Sequence, residues 1–440
     1  MRAVAVLLVI AYHGERSLAP RGGTIGVTMF FTLSGFLITT LLLRERASSG
    51  RIRLRRFYWR RALRLLPALI TLVAVTCAYS WITGSYERTL DAALPVLLYV
   101  GNWMRTLRDS EGLGLLEHTW SLSVEEQFYL VWPLAVLGAA ALVPKVRQAE
   151  AVLALAVGGS LLSLWWRLQL WDPDAERWSA ARLYNGTDAV ADQLLVGAAL
   201  AAGLALWDRR ATEPLPVSKR RATEPLPVSK GGATEPLPVS KGGATEALPV
   251  PGRRLFALAG AVGAPLALAY VVWVARVHPG GDSLANDRRY LEWGSLTFAL
   301  AAAVIVLGAT RGAEQWFPRL LALPPLVAIG KVSYGLYLWH FPVILAVDDQ
   351  LPDASTLARG AAVISLTAAT TLASWFLVER PFLALKDGPR TSAPAPPRQP
   401  VGSARPRGQE PSPPSARSAA RSASRRPTRA RRRSPGSRPR

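Results

Sequence analysis

What most constrains this chain is the way its apolar residues are spaced. They gather into blocks of roughly 18–25 residues, the length that crosses about 30 Å of hydrocarbon. A soluble strand or surface helix would be broken by polar residues at period 2 or 3.6, and these blocks are not. Half of all residues are hydrophobic and the mean hydropathy is +0.19, in spite of a long charged tail. An ordinary soluble enzyme is excluded. In lipid a helix satisfies its own backbone whereas an open sheet leaves edge groups bare. The expected fold is therefore all-α, a polytopic transmembrane helical bundle.

About ten blocks have the length to span, at residues 3–18, 24–43, 65–84, 120–143, 151–171, 189–207, 255–277, 291–310, 325–347 and 357–378. A shorter run at 92–104 cannot cross and reads as a re-entrant or interfacial helix. Fifteen tryptophans agree with this, since indole rings favour the membrane interface. The first run contains His13 and Glu15 and lacks a small-residue cleavage site, so it is read as a retained helix and not a removed signal.

Lysine and arginine in short loops orient the bundle. Nine arginines lie between Arg44 and Arg64. The following loops on that side carry Lys145 and Arg147, then Arg209, Arg210, Arg253 and Arg254, then Arg311 and Arg319. The opposite loops are acidic or mixed, with Glu87, Asp91, Asp172, Asp174, Asp282, Asp348 and Asp349. The alternation holds if run 92–104 does not cross, and it places both termini in the cytoplasm. The net charge of +22 is concentrated at the C-terminus, where fifteen basic residues from Lys386 onward face only Asp387 and Glu410. The single cysteine, Cys77, rules out an intramolecular disulfide and a cysteine-based zinc cage, and no metal site is expected.

Two segments lie outside the expected bundle. Residues 211–250 repeat the unit ATEPLPVSK with a period of eleven. Two prolines per full unit and isolated Leu and Val cannot build a core, so this is read as a flexible cytoplasmic linker of extended character. The tail, 386–440, is rich in Pro, Ser, Ala and Arg and is read as disordered. The arginine run at 429–433 would be drawn to acidic lipid heads; no nucleic-acid partner is expected. The layout is a transmembrane domain, 1–385, with an inserted linker, followed by a basic tail.

Ionisable groups inside spanning blocks are costly, so each is a functional candidate. Arg2 and His13 are eleven residues apart, about three helical turns, so both lie on one face about 16 Å apart. One helix could touch a ligand at the membrane boundary and again near mid-membrane, although a flanking Arg and a hydrogen-bonded interfacial His would look the same. Arg60, Arg61 and Arg64 cluster at an expected helix start, with Pro67 one turn later. Guanidinium groups bind phosphate bidentately, and the same cluster also reads as a positive-inside anchor on anionic lipid. Glu125 and Glu126 lie in the stretch Trp120-Ser121-Leu-Ser-Val-Glu125-Glu126-Gln-Phe-Tyr. Adjacent helical residues point about 100° apart, so the two cannot share one partner. Either could orient or charge-balance a catalytic imidazole. Ser121 and Glu125, four apart, share a face. Tyr337-Leu-Trp-His340 places another histidine in an apolar block, where a satisfied core histidine is the plainer reading.

Taken together, these stretches resemble the acyltransferase 3 family of bacterial inner-membrane O-acyltransferases, which includes O-antigen and other surface-glycan acetylases and macrolide acylases. The matching residues are Arg2…His13, Gly26-Val-Thr28-Met-Phe-Phe-Thr-Leu-Ser34-Gly35-Phe36, Arg60-Arg61-x-x-Arg64-x-x-Pro67, Trp120 to Tyr129, and Tyr337 to His340, in family order as far as about Pro381. The resemblance implies transfer of an acyl group, often acetyl, from cytoplasmic acyl-CoA to a hydroxyl acceptor. The acceptor would be a glycan, a lipid-linked saccharide or a macrolide-like metabolite. Acyl-CoA is then a co-substrate and no cofactor is bound.

On that basis His13 is the expected general base, with Glu125 or Glu126 positioning it or balancing its charge. Arg2, Arg60, Arg61 and Arg64 would bind acyl-CoA, and Ser34, Trp120, Ser121, Tyr337 and His340 are supporting candidates. Three features depart from the family pattern. The family usually carries a longer lead ahead of the Arg2 position, which leaves a start upstream of Met1 open. It commonly has Asp where Thr28 stands, and it has no counterpart of the repeat linker. With no esterase-like domain after the last helix, a stand-alone membrane enzyme is expected. The alternative is a transporter or flippase of an acylated lipid or glycan, which predicts inverted repeats with broken helices at matching positions. No such symmetry is visible.

Overall fold

A computed structural model describes residues 1–14, 19–85, 87–107, 112–212, 253–277, 288–311 and 316–385. The chain divides into a unit Met1–Pro389 and a unit Arg390–Arg440, and only the first contains described residues. The repeat linker beyond residue 212 and the tail both lie outside them.

The described residues contain no strand. The helices are α1 (Arg2–Gly14), α2 (Gly22–Ser49), α3 (Leu54–Thr83), α4 (Arg88–Leu97), α5 (Gly101–Leu107), α6 (Trp120–Leu142), α7 (Gln148–Gln169), α8 (Glu176–Asn185) and α9 (Thr187–Thr212). After the linker come α10 (Arg253–Leu258), α11 (Ala264–Val277), α12 (Ser295–Arg311), α13 (Trp316–Leu321), α14 (Pro324–Lys331), α15 (Ser333–Gln350), α16 (Thr356–Ser374) and α17 (Arg380–Ala384).

Among the described residues seven stretches, not ten, are long and apolar enough to cross a membrane: Gly22–Ser49, Leu54–Thr83, Lys145–Gln169, Pro173–Arg209, Phe256–Ala275, Tyr290–Arg311 and Thr356–Ala384. The three expected spans that fall short have physical reasons to do so. Helix α1 has thirteen residues, α6 carries Glu125 and Glu126, and the block at 325–347 is broken at Val332 into α14 and α15, with His340, Asp348 and Asp349 on the latter. These are also the helices that bring polar side chains into the bundle interior, where burial against protein replaces burial in lipid. The arginine cluster differs too: it lies inside α3, which starts at Leu54, and not at a helix start.

Small residues set the closest helix approaches, as expected where packing and not water drives association. A Cβ on Gly35 of α2 would fall 1.8 Å from the carbonyl oxygen of Leu194 on α9, and one on Gly197 would fall 1.9 Å from that of Thr32. Gly22 and Gly26 allow the same contact of α2 with the backbone of α1 at Leu8 and Ala5. The main core joins α1, α2, α3, α6, α9 and α15 through Val6, Phe31, Leu69, Val124, Leu194 and Leu338.

Run 92–104 forms a helix, a break and a second helix. The 3₁₀ turn Gly114–Thr119 then brings the chain back to where it left, since the Leu115 amide donates to Thr89 Oγ1 at 2.9 Å. Ten residues of α4 reach about 15 Å before the break, about half a bilayer core. At the tip Tyr99 has φ 55, and its carbonyl accepts from Gln127 Nε2 at 2.7 Å. Irregular backbone is tolerated at depth only where protein satisfies it, and Gln127 does so here. The run is thus a helical hairpin that returns to the side it left.

A second polar tie lies elsewhere. Arg167 of α7 donates to both carboxylate oxygens of Asp192 on α9, at 2.8 and 2.9 Å. It also donates to the carbonyls of Ala189 and Glu292, at 2.9 and 3.2 Å. Side-chain exposure is 1% and 0%, so this is a fully buried pair joining α7, α9 and the turn of helix ahead of α12.

Candidate functional site

Helices α1, α2, α3, α6 and α15 enclose a half-open cavity of about 620 Å³. Arg2, Arg61 and Arg64 bring three guanidiniums to it, and Ser34, Ser121, Glu125, Tyr129 and Tyr337 line it with them. Five helices far apart in the chain converge here, and each contributes at least one polar side chain.

The two glutamates behave differently. Glu125 accepts from Ser34 Oγ at 2.5 Å and lies in the field of Arg61 and Arg2. Glu126 pairs with Arg61, whose Nε is 3.0 Å from both carboxylate oxygens. The Arg61 guanidinium also stacks over the Tyr129 ring, with Cζ 3.2 Å from its centroid. Arg61 is thereby locked, whereas Arg2 and Arg64 make no hydrogen bond or ion pair among the described residues, and Arg2 Nε is buried without an acceptor. Arg60 is not among the lining residues.

A second polar centre lies beyond Tyr337. His340 Nδ1 is 2.7 Å from the Tyr337 carbonyl, so it carries the proton and donates. In the neutral ring Nε2 is then a bare acceptor, 3.3 Å from His13 Nδ1. His13 Nδ1 is also 3.0 Å from the Val9 carbonyl, an obligate acceptor. Both neighbours ask for a proton on His13 Nδ1, which leaves the Nε2 lone pair as the basic site; these protons are assigned from the network.

His118 completes the group. Its Nε2 is 3.0 Å from the Leu338 carbonyl and its ring lies 5.3 Å from those of His340 and Phe341. Tyr337 donates to the His118 carbonyl at 2.8 Å, and its hydroxyl is 2.6 Å from Ser121 Oγ.

The structure thus brings Arg2, Arg61, Arg64, Ser34, Ser121, Glu125 and Tyr337 around one cavity and joins His13 to His340 beside it. It does not bring Glu125 or Glu126 to His13; the residue that meets His13 Nδ1 is His340. The reason is that both glutamates lie about two turns along from His118, with Glu125 turned to Ser34 of α2 and Glu126 to Arg61 of α3. His13 does not line the cavity. Trp120 is not among the lining residues and packs against Tyr184 (ring centroids 4.7 Å) and Phe31 (6.3 Å). Thr28, at the position where the family pattern has Asp, donates to the Thr24 carbonyl and lies 3.3 Å from the Tyr290 hydroxyl.

Sequence reasoning passed over His118, Arg167 and Asp192. For the last two the signal was present, because both are ionisable residues inside apolar blocks. His118 directly precedes the Trp120–Tyr129 motif, and its fold partner Leu338 is 220 residues away.

A sequence model described as an acyltransferase domain matches residues 1–379. The chain is 30% identical over 352 residues to the peptidoglycan O-acetyltransferase OatA of Listeria monocytogenes, covering 78% of this chain and 48% of that protein. A putative peptidoglycan O-acetyltransferase of Bacillus subtilis, YrhL, is 31% identical over 358 residues, covering 78% and 48%. A putative O-acetyltransferase of Staphylococcus aureus is 28% identical over 367 residues, covering 80% and 52%. The chain spans about half the length of these relatives. No solved structure matches it.

Proposed function

The chain belongs to the acyltransferase 3 family, and from that premise we propose that it is a membrane-bound O-acyltransferase moving an acetyl group from acyl-CoA to a glycan hydroxyl. The observation that carries the reading is the pairing of two centres by one helix. Helix α1 places Arg2 in a cavity with Arg61 and Arg64, and about three turns further on it places His13 against His340. Acyl-CoA has phosphates at one end and a thioester at the end of a long thin arm. Arg2 and Arg64, whose guanidiniums have no partner among the described residues, would take the phosphates. Glu126 holds Arg61 in place and Glu125 tempers the positive charge facing it.

At the other end His13 Nε2 accepts the proton of the acceptor hydroxyl as its oxygen attacks the thioester carbonyl. The C–S bond then breaks, and the departing sulfur takes the proton back from His13. During the step the imidazolium keeps its Nδ1 proton on Val9 and His340. The named activity of the Listeria and Bacillus relatives favours a peptidoglycan-type acceptor over a macrolide-like one. The arginine-rich loops favour a cytoplasmic face for the Arg2 end and for both termini, in a bacterial cell membrane.

The test is transfer from radiolabelled acetyl-CoA in membranes. His13→Ala, at normal expression and with its elution profile intact, should lose about 10²–10⁴-fold in rate; full retained activity would overturn the assignment of His13.

A further inference from the structure

A second large cavity, of about 710 Å³, lies between α3 and α6. Ala62, Leu65 and Leu66 form one side, Leu130 the other, and Leu98 with Tyr99 closes one end. It shares Arg61, Leu65 and Tyr129 with the central cavity, so the Arg61–Glu126 pair and the Tyr129 ring are the partition between them. Helices α3 and α6 meet here through side chains, by that pair and by Tyr58, which donates to the Leu130 carbonyl at 2.9 Å.

The cause of the gap is the hairpin of α4 and α5. It wedges α3 and α6 apart, but its first helix is only about 15 Å long, about half the thickness of a bilayer core, before the chain turns back at Tyr99. The space beyond its tip, on the side of the arginine-rich start of α3, is left unfilled by protein. Its rim is apolar and open, with Leu98 62% and Leu130 59% exposed. Along α3, Arg55, Tyr58, Ala62 and Leu66 follow each other at spacings of three and four, so they share one face. Arg55 and its neighbour Arg56 are exposed at the outer end of that face.

We propose that this cleft seats one hydrocarbon chain of an anionic phospholipid from the arginine-side leaflet. The chain lies along Ala62 and Leu66 up to the hairpin tip at Leu98, and the head-group phosphate is held at Arg55. Apolar walls at hydrocarbon depth exclude water, and a basic residue at the mouth selects negative heads. A seated chain stands directly behind Arg61 and Tyr129 and keeps the partition closed. The site is independent of the reaction assigned above, and its test needs no turnover.

The full-length protein is reconstituted in phosphatidylcholine liposomes doped with phosphatidylglycerol carrying a diazirine on one chain. Photolysis is followed by mass-spectrometric mapping. Labelling at residues 62–66, 98 and 130 should exceed, several-fold, that of the outward face of α7 at Leu161 and Leu162, which are 61% and 63% exposed. Ala62→Trp, or Leu66→Trp if the first does not fold, should abolish the cleft label and leave that of α7. Arg55→Glu should remove the preference for phosphatidylglycerol over a diazirine phosphatidylcholine. Cleft labelling no stronger than on α7, or unchanged by both tryptophan variants, overturns the site. Equal labelling of the parent by both probes overturns the anionic head group.

Discussion

Removing Asp192 should be among the most damaging single changes in the bundle. The Arg167 guanidinium is 1% exposed and donates to four acceptors, two of them on Asp192. In Asp192→Ala two donors and a full positive charge stay buried without compensation. Breaking such a pair costs about 3–5 kcal/mol, which is about two to three and a half decades in the folded-to-unfolded ratio. A neutral interhelical hydrogen bond in a membrane protein averages only about 0.6 kcal/mol, so the two origins are well separated. The double variant Arg167→Met, Asp192→Leu removes both charges and refills the space, and should return to within about 1 kcal/mol of the parent. The assay is equilibrium unfolding in mixed micelles titrated with SDS, read by tryptophan fluorescence. A loss near 0.6 kcal/mol for the single variant, or a double variant worse than the single, would refute the buried-charge argument.

Other outcomes follow from the same geometry. Gly35→Ala puts a Cβ 1.8 Å from a backbone oxygen, which no rotamer change relieves, and should cost about 1–3 kcal/mol in the same titration; the outward Gly158→Ala, with open space around it, should not. His340→Ala removes an acceptor 3.3 Å from His13, at the long end of the useful range, so the loss in transfer rate should be about 5–10-fold, far less than for His13→Ala. His340→Gln, whose side chain can still accept, should recover part of it. Arg64→Ala should raise the KM for acetyl-CoA with little change for the acceptor, measured by initial rates at varied concentrations of each.

Sequence and tertiary structure divided the work along a physical line. Apolar block length settled membrane insertion and the all-α class, because the bilayer is a solvent of fixed thickness and every backbone group in it must be satisfied internally. The motifs named the family, and helical spacing alone placed Arg2 and His13 on one face. Periodicity reports which face of a helix is polar but not which helix that face meets. The partner of His13 is 327 residues away at His340, and both glutamates turned to arginine and serine instead. Of the ten expected spans, those at α1, α6 and α15 are shorter or more polar than the other seven, because their polar residues are sheltered by protein and not by lipid. The cavity, the buried Arg167–Asp192 pair and the hairpin of α4 and α5 were decided by tertiary packing, since each depends on side chains from helices that sequence order keeps apart.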